Sequence, residues 1–214
     1  MTGSLVGDGS SLRYVNLHER WANELQELEY ACFPTVTRDE LYSAPELAML
    51  AREFPAGNFV VLDGDKPIAM GLGVRVDFDF GSPQHSVKDL VTSNSTGDDP
   101  GGRWYYGTDI SVDPAYRRRG IGQNLYGLRK KVCRDLNLRG IVAGGVIPGY
   151  ADHKTTMTAA QYVEAVTAGE LYDATLSFQL ENGFETRGVL ENYLEDPAVD
   201  SWASLIVWSN TEFA

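Results

Sequence analysis

Apolar residues recur along the chain with two periods, one near 3.6 and one near 2. Leu17, Trp21, Leu25, Leu28 and Cys32 follow at steps of 4, 4, 3 and 4, one face of an amphipathic helix. Asn16 with Glu19 predicts a capping-box start for it, after the apolar stretch Leu12 to Val15, and Pro34 predicts its stop. A second helix is predicted from Ser43, with Pro45 in its first turn and Leu47, Leu50, Ala51 and Phe54 on one side. Phe59 to Leu62 and Pro67 to Val76 then read as two antiparallel strands, because Asp63-Gly64-Asp65-Lys66 between them supplies a hairpin turn.

From Asp77 to Gly102 periodicity is lost over 26 residues, apart from a short helix predicted at His85 to Val91. That is far above the usual loop length of about 4 to 6 residues, so function or disorder is expected there. Trp104 to Val112 alternates, with Tyr106, Thr108, Ile110 and Val112 on one face and Tyr105, Gly107, Asp109 and Ser111 on the other. Ile121, Leu125, Leu128, Val132 and Leu136 predict a helix over Gly120 to Leu136. Ile141 to Ile147 reads as a short apolar strand, in which Gly144-Gly145 suggests a bulge or a close approach to a ligand.

A helix over Thr158 to Ala168, capped by Gly169, and another around Leu176, Phe178 and Leu180, stopped by Asn182-Gly183, complete the helical set. Val189 to Leu194 and Leu205 to Trp208 supply two closing strands. Residues 1–11 are rich in Gly, Ser and Asp and are expected to be frayed. No change of composition divides 12–214, so one α/β domain is expected, its helices gathered after strand pairs.

The 214 residues are 43% hydrophobic and 22% charged, enough to bury a core without disulfides. Cys32 and Cys133 both fall on helical patterns and read as reduced core thiols. There is no basic start with an apolar block behind it and no run of about 18 apolar residues, which predicts a cytoplasmic protein without a membrane partner. A formal charge of −12 repels phosphate backbones, so nucleic acid is not an expected partner. Against this background Arg117, Arg118, Arg119, Arg129, Lys130, Lys131, Arg134 and Arg139 share 23 residues with one acid, Asp135. That concentration suits an anionic ligand; a solvated helix face is its alternative.

The basic run opens with Arg117-Arg-Arg-Gly-Ile-Gly122, between the predicted strand ending at Val112 and the predicted helix. Unpaired amides of a helix start, the helix dipole and glycines that admit a phosphate make this an anion seat. GxxxxGK(S/T) is absent and no GxGxxG opens a helix after a strand, which argues against a P-loop or Rossmann enzyme. No metal-ligand cluster and no nucleophile–base–acid set stands out, so no metal is expected.

With Arg117, Gly120 and Gly122 in this setting, and with Ser177-Phe-Gln-Leu-Glu-Asn-Gly-Phe184 downstream, the chain resembles the GCN5-related N-acetyltransferase superfamily. The phrases SFQLENGF and GVLENYLED are also similar to acetyltransferase-like domains fused to carbon–nitrogen hydrolases. The resemblance implies a twisted, mixed, mostly antiparallel sheet of about six or seven strands, helices on both faces, and a splay between the fourth and fifth strands. It implies acetyl-CoA as co-substrate, with main-chain N–H groups from Arg118, Arg119, Gly120, Ile121, Gly122 and Gln123 on the pyrophosphate. Arg117 and Arg119 would add charge, and Phe178 would border the coenzyme. Ile110, Ser111 and Val112 would pair with pantetheine, the Ile110 N–H polarising the thioester carbonyl.

Many relatives carry a tyrosine acid four residues before the glycine of the GF pair, where this chain has Gln179. Gln179 cannot usefully release a proton, so Tyr150 and Tyr172 become substitute acids, and Asp109 and His153 candidate bases. Each also has a plain structural reading: a core or interface tyrosine, a carboxylate on the less buried strand face, an exposed loop histidine. His18 and His85 offer no clearer pairing. The implied reaction is direct attack of a primary amine on acetyl-CoA through a tetrahedral intermediate. The acceptor would be cationic, a small molecule or a lysine-type side chain, drawn by acids such as Asp77, Asp79, Asp98 and Asp99. A homodimer is an open possibility for the assembly. The competing class is a non-catalytic acyl-CoA sensor or interaction module, motivated by Gln179.

Overall fold

The computed structural model describes residues 12–90 and 96–214, so the expectation for residues 1–11 and the Val91 end of the loop helix lie outside the described residues. Seven strands form one sheet in the order β1-β2-β3-β4-β5-β7-β6. They are β1 (Leu12–Asn16), β2 (Phe59–Asp63), β3 (Lys66–Val76), β4 (Trp104–Val112), β5 (Gly140–Val146), β6 (Glu185–Leu190) and β7 (Ala203–Ser209). Every neighbouring pair is antiparallel except β4 with β5. Those two run parallel and pair only at Tyr105 with Ile141 and Tyr106 with Val142, so the sheet opens beyond that point.

The hairpin joining β2 to β3 turns at Gly64, whose φ of +59° needs a residue without a Cβ. Helices α1 (Ala22–Cys32) and α2 (Ala44–Glu53) cover one face of the sheet; α4 (Ile121–Asp135), α5 (Ala159–Thr167) and α6 (Leu176–Glu181) cover the other. A single turn, α3 (Val87–Leu90), lies in the long loop.

Several boundaries differ from the sequence expectation, each for a local reason. Asn16 is the last residue of β1, and its side-chain amide donates to the Pro55 carbonyl at 2.8 Å instead of capping α1. The helical entry is a 3-10 turn, Glu19–Trp21, capped by His18, whose Nδ1 accepts from the Arg20 N–H at 3.1 Å. The Ser43–Glu46 capping box does form. The first closing strand ends at Leu190, earlier than the expected Val189 to Leu194, because the segment after it turns and drives Tyr193 inward to 1% exposure. Leu136, expected on the buried stripe of α4, is exposed at the C-cap. The residue buried among Leu125, Tyr126 and Val132 is Arg129.

One irregularity in the sheet matters most. Between β3 and β4 the register passes from Leu72 with Asp109 to Gly73 with Gly107, leaving Thr108 without a partner. This bulge reverses the expected alternation beyond it. Ile110 and Val112 share the α4 face with Tyr105, while Asp109 and Ser111 follow Tyr106 onto the α1 face, opposite Leu72 and Met70. Asp109 is therefore buried rather than lying on the less buried side.

The long loop is tied down where it is described. Val87 N–H donates to the Tyr193 carbonyl at 2.9 Å, and the Gln84 side-chain amide bridges Val189 and Glu191. The Arg75–Asp98 ion pair, 2.5 Å and largely buried, anchors its far end.

Candidate active site

Asp113 ends β4 and accepts from the Ala115 N–H at 2.9 Å, fixing a 3-10 turn over Pro114–Tyr116. The chain then reaches α4 through two left-handed residues, Arg118 at φ +62° and Gly120 at φ +74°. Asn124 N–H donates to the Gly120 carbonyl at 3.0 Å, so the amides of Ile121, Gly122 and Gln123 precede the first helical hydrogen bond. A Cβ on Gly120 would meet nothing within 4 Å, which leaves the approach to these amides open. Gly122 is different: its Cβ position is 2.9 Å from the Phe178 ring, which stacks on Tyr126 at 5.6 Å. Phe178 thus adjoins the helix start, and Gly122 serves the α4–α6 contact.

Arg117, Arg118 and Arg119 are exposed at this entry. Arg117 Nε donates to the Val112 carbonyl at 3.2 Å, and the Arg119 guanidinium lies 4.9 Å from the Tyr116 ring. The other cations of the run are dispersed. Lys130 caps the Asn182 carbonyl, Lys131 pairs with Asp135, Arg134 pairs with Glu212, and Arg129 is buried. The basic segment is a local arginine cluster followed by ordinary helix contacts, not one charged face.

Gly144 and Gly145 border the opened side of β5. No bulge occurs there, since the β5–β7 register runs unbroken from Gly140 with Ser209 to Val146 with Ala203. Side chains make the close approach instead: a Cβ on Gly144 would sit 2.2 Å from Tyr193 Cζ, and one on Gly145 would sit 2.5 Å from the Gln179 amide oxygen. Gln179 is buried, and its Oε1 has no hydrogen-bond partner among the described residues.

On the α1 face two carboxyl groups lie together. Asp109 Oδ2 accepts from the Ser111 hydroxyl at 3.0 Å, while its Oδ1 has no partner among the described residues. Burial pushes Asp109 up to about 7, against the lowering effects of the Ser111 hydroxyl and the Arg129 charge. Glu29, on α1, accepts from the Tyr42 N–H at 2.9 Å and is held well above the ordinary carboxyl range by burial and by Asp109. Beside them the Tyr42 hydroxyl donates to Thr108 Oγ1 at 2.8 Å. Arg129 crosses from the other face and donates to the carbonyls of Leu72 and Asp109, closing the bulge.

A second polar set reaches this region from the long loop. His85 Nδ1 is 2.6 Å from the Pro83 carbonyl and its Nε2 is 2.6 Å from the Tyr106 hydroxyl, which in turn lies 3.1 Å from the Tyr193 hydroxyl.

The remaining candidates are not brought here. Tyr150 is buried in the α5 core, where its hydroxyl donates to the Met157 carbonyl at 3.2 Å and its ring packs on Tyr162. Tyr172 is 74% exposed, in the loop before Leu176 rather than at the helix start. His153 packs on Tyr162 at 5.4 Å, and His18 caps the entry to α1. The loop acids are also engaged: Asp77 with Arg103, Asp98 with Arg75, and Asp79 and Asp99 with the N–H groups of Gly81 and Gly101.

Glu29, Tyr42, Tyr106, Arg129, Tyr193 and the role of His85 were not singled out by the sequence pattern. A signal existed for two of them, since Glu29 and Arg129 each fall four residues after a core leucine, Leu25 and Leu125, on an apolar stripe.

A family model described as the acetyltransferase (GNAT) family matches residues 21–150. The chain is 34% identical over 210 residues to the uncharacterized N-acetyltransferase YkwB of Bacillus subtilis (strain 168), covering 96% of this chain and 93% of that protein. It is 35% identical over 200 residues to the probable hydrolase YhcX of the same organism, covering 92% of this chain but only 38% of that protein's length. Among solved structures it is similar in fold to the GphF GNAT-like decarboxylase in complex with isobutyryl-CoA, with a TM-score of 0.79 at 19% identity, covering 92% of this chain and 99% of that one.

Proposed function

Since the chain belongs to the acetyltransferase (GNAT) family, we propose that it transfers an acetyl group from acetyl-CoA to a primary amine. The observation that carries this reading is the opening of the sheet between β4 and β5 directly ahead of the arginine-flanked start of α4. A strand edge left unpaired offers hydrogen bonds to an extended amide chain, and the open helix start offers them to a diphosphate.

In this reading the amides from Arg118 to Gln123 hold the pyrophosphate, with Arg117 and Arg119 adding charge at its rim. Ile110, Ser111 and Val112 line pantetheine, and the Ile110 N–H steadies the oxyanion formed on direct attack. A coenzyme A thioester as ligand is further supported by the isobutyryl-CoA in the GphF structure. Asp109, pushed up to about 7, is matched to receiving a proton from an amine near neutral pH. A cationic acceptor would be drawn by the ionised fraction of Asp109 and by the net charge of −12. Cys32 is an unsuitable nucleophile for a covalent intermediate, because burial and then Asp109 raise its thiol above the ordinary range. We place the enzyme in the cytoplasm; no helix among the described residues is long and apolar enough to cross a membrane.

Release of coenzyme A, followed with dithionitrobenzoate, tests the assignment with acetyl-CoA and a panel of spermidine, glucosamine and a lysine peptide. Thermal shifts with acetyl-CoA, coenzyme A and ATP test the ligand alone, and stabilisation by ATP only would overturn it. The second reading, an acyl-CoA sensor, is favoured by Gln179 at the tyrosine position. Tight acetyl-CoA binding without release on any amine would support it.

A further inference from the structure

The hydrogen bonds among His85, Tyr106 and Tyr193 form an ordered chain with a fixed outer end. A carbonyl only accepts, so the 2.6 Å contact with Pro83 places a hydrogen on His85 Nδ1. The state of Nε2 then sets the direction of every bond beyond it. When Nε2 is bare, Tyr106 donates to it and Tyr193 donates to Tyr106, leaving the Tyr193 oxygen free to accept. When Nε2 carries a proton, the order reverses and Tyr193 has a proton to give.

The inner end of the chain lies where the reaction is proposed to occur. Tyr193 presses its phenol tip on Gly144, two residues past the last β4–β5 pair, and the Gly144 main chain favours the ionised form of both phenols. The outer end belongs to the long loop, where His85 is only partly buried. Burial raises both phenols, Tyr193 to about 12, so each stays protonated at rest, as a relay requires.

We propose that Tyr193, Tyr106 and His85 are a proton relay that takes the place of the missing acid at Gln179, carrying a proton between the opened sheet and the long loop. This rests on the acyl-transfer reading. As the amine attacks, one N–H proton passes to the Tyr193 oxygen, the Tyr193 proton to Tyr106, and the Tyr106 proton to His85 Nε2. When the carbon–sulfur bond breaks, the same three transfers run backwards and the proton ends on the thiolate sulfur. No other reactant is needed. Asp109 then serves to strip the first proton from an acceptor that arrives as an ammonium ion.

Among the described residues the groups facing His85 are few. Asp89 on α3 is a carboxylate kept below its ordinary range by the Ser86 N–H and hydroxyl and then by His85 itself. Tyr106 comes from β4 and Tyr193 from the segment after β6, and the Phe78 ring, 5.4 Å away, carries no charge.

Tyr193→Phe keeps the ring on Gly144 and removes the hydroxyl, and His85→Gln keeps side-chain length and removes the imidazole. With acetyl-CoA and the best amine of the panel, both are expected to lower kcat about 100-fold with KM for acetyl-CoA unchanged. Tyr106→Phe, which breaks the chain at its middle, should reproduce the fall in kcat with KM unchanged, and the double variant Tyr193→Phe/His85→Gln should fall no further than either single one, because all three act through one path. Coenzyme A release by Tyr193→Phe and His85→Gln within twofold of the parent, or losses that multiply in the double variant, would overturn the relay alone. No release by the parent enzyme on any amine would overturn acyl transfer and the relay together.

Discussion

The two faces of the opened sheet are built from different materials. On the α4 face the elements proposed to hold the coenzyme are main-chain features: an unpaired strand edge, two left-handed residues and the first amides of a helix. On the α1 face the proposed acid–base groups are side chains contributed by α1, the α1–α2 connection, β4, the long loop and the segment after β6. Main-chain devices follow from a few neighbouring residues, whereas an assembly of distant side chains exists only once the sheet has its register. The two faces should therefore fail in different ways.

Arg129 joins them and carries the largest expected effect. Its guanidinium donates from α4 to the carbonyls of Leu72 and Asp109 at the bulge, with Tyr105 and Tyr126 around it. Arg129→Met leaves both carbonyls buried without a donor, an expected loss of about 3–5 kcal/mol, read from urea unfolding. Lys is not an adequate replacement, because one ammonium cannot match the planar fork. A loss under about 1 kcal/mol would mean that the bulge stands without Arg129 and that the two faces are independent.

Asp109→Asn is next and belongs to the α1 face alone. The expected fall in kcat is about 100-fold, with KM for acetyl-CoA unchanged. Stability gives a second test. The folded carboxyl at about 7 lies above the unfolded value of about 3.9, so the folded state holds the extra proton between them. The parent should lose stability as pH rises through that window and level off above it. Asn cannot ionise, so the variant should match the parent near pH 4 and exceed it at pH 8 by a few kcal/mol, about 2–4 °C in Tm for each. Glu29, raised in the same direction, adds a slope of the same sign.

Gly120→Ala probes the α4 face. At φ +74° a methyl group strains the backbone by about 1 kcal/mol, yet it meets no atom within 4 Å. The expected result is about tenfold weaker acetyl-CoA binding by calorimetry, with kcat at saturation unchanged. A fall in kcat with affinity preserved would place the chemistry on the wrong face.

The same division explains what could be read in advance. The hairpin at Gly64, the helix stripes, the splayed fourth and fifth strands and the arginine–glycine entry each depend on short segments or on a family pattern carried by short segments. The fate of Asp109 depends on Thr108 dropping out of register, and nothing in Thr108 or its neighbours announces a bulge. Strict alternation therefore put Asp109 on the opposite face from the one it occupies. Tyr193 was misread for a related reason, as part of a strand, although it follows the end of β6 and points into the sheet opening. Tyr150 and Tyr172 are candidates for their places just beyond the expected Ile141 to Ile147 strand and at the expected start of the late helix, and a place in the order of elements says nothing of which core a ring joins.

Gln179 gives the smallest expected effect and the sharpest test of the division. It sits on α6 against Gly145, at the coenzyme side of the opening, with Oε1 unpartnered among the described residues. If the α4 face works through its main chain, this side chain is a spacer. Gln179→Met then exchanges a desolvated amide for a thioether of similar length, and stability should stay equal or rise by about 0.5–1 kcal/mol. Acetyl-CoA affinity should remain within twofold, and so should kcat, since the relay places the proton transfer on the other face. A tenfold loss of affinity would instead identify the bare oxygen as an acceptor for the coenzyme, one side chain on which the α4 face depends as directly as the α1 face depends on its own.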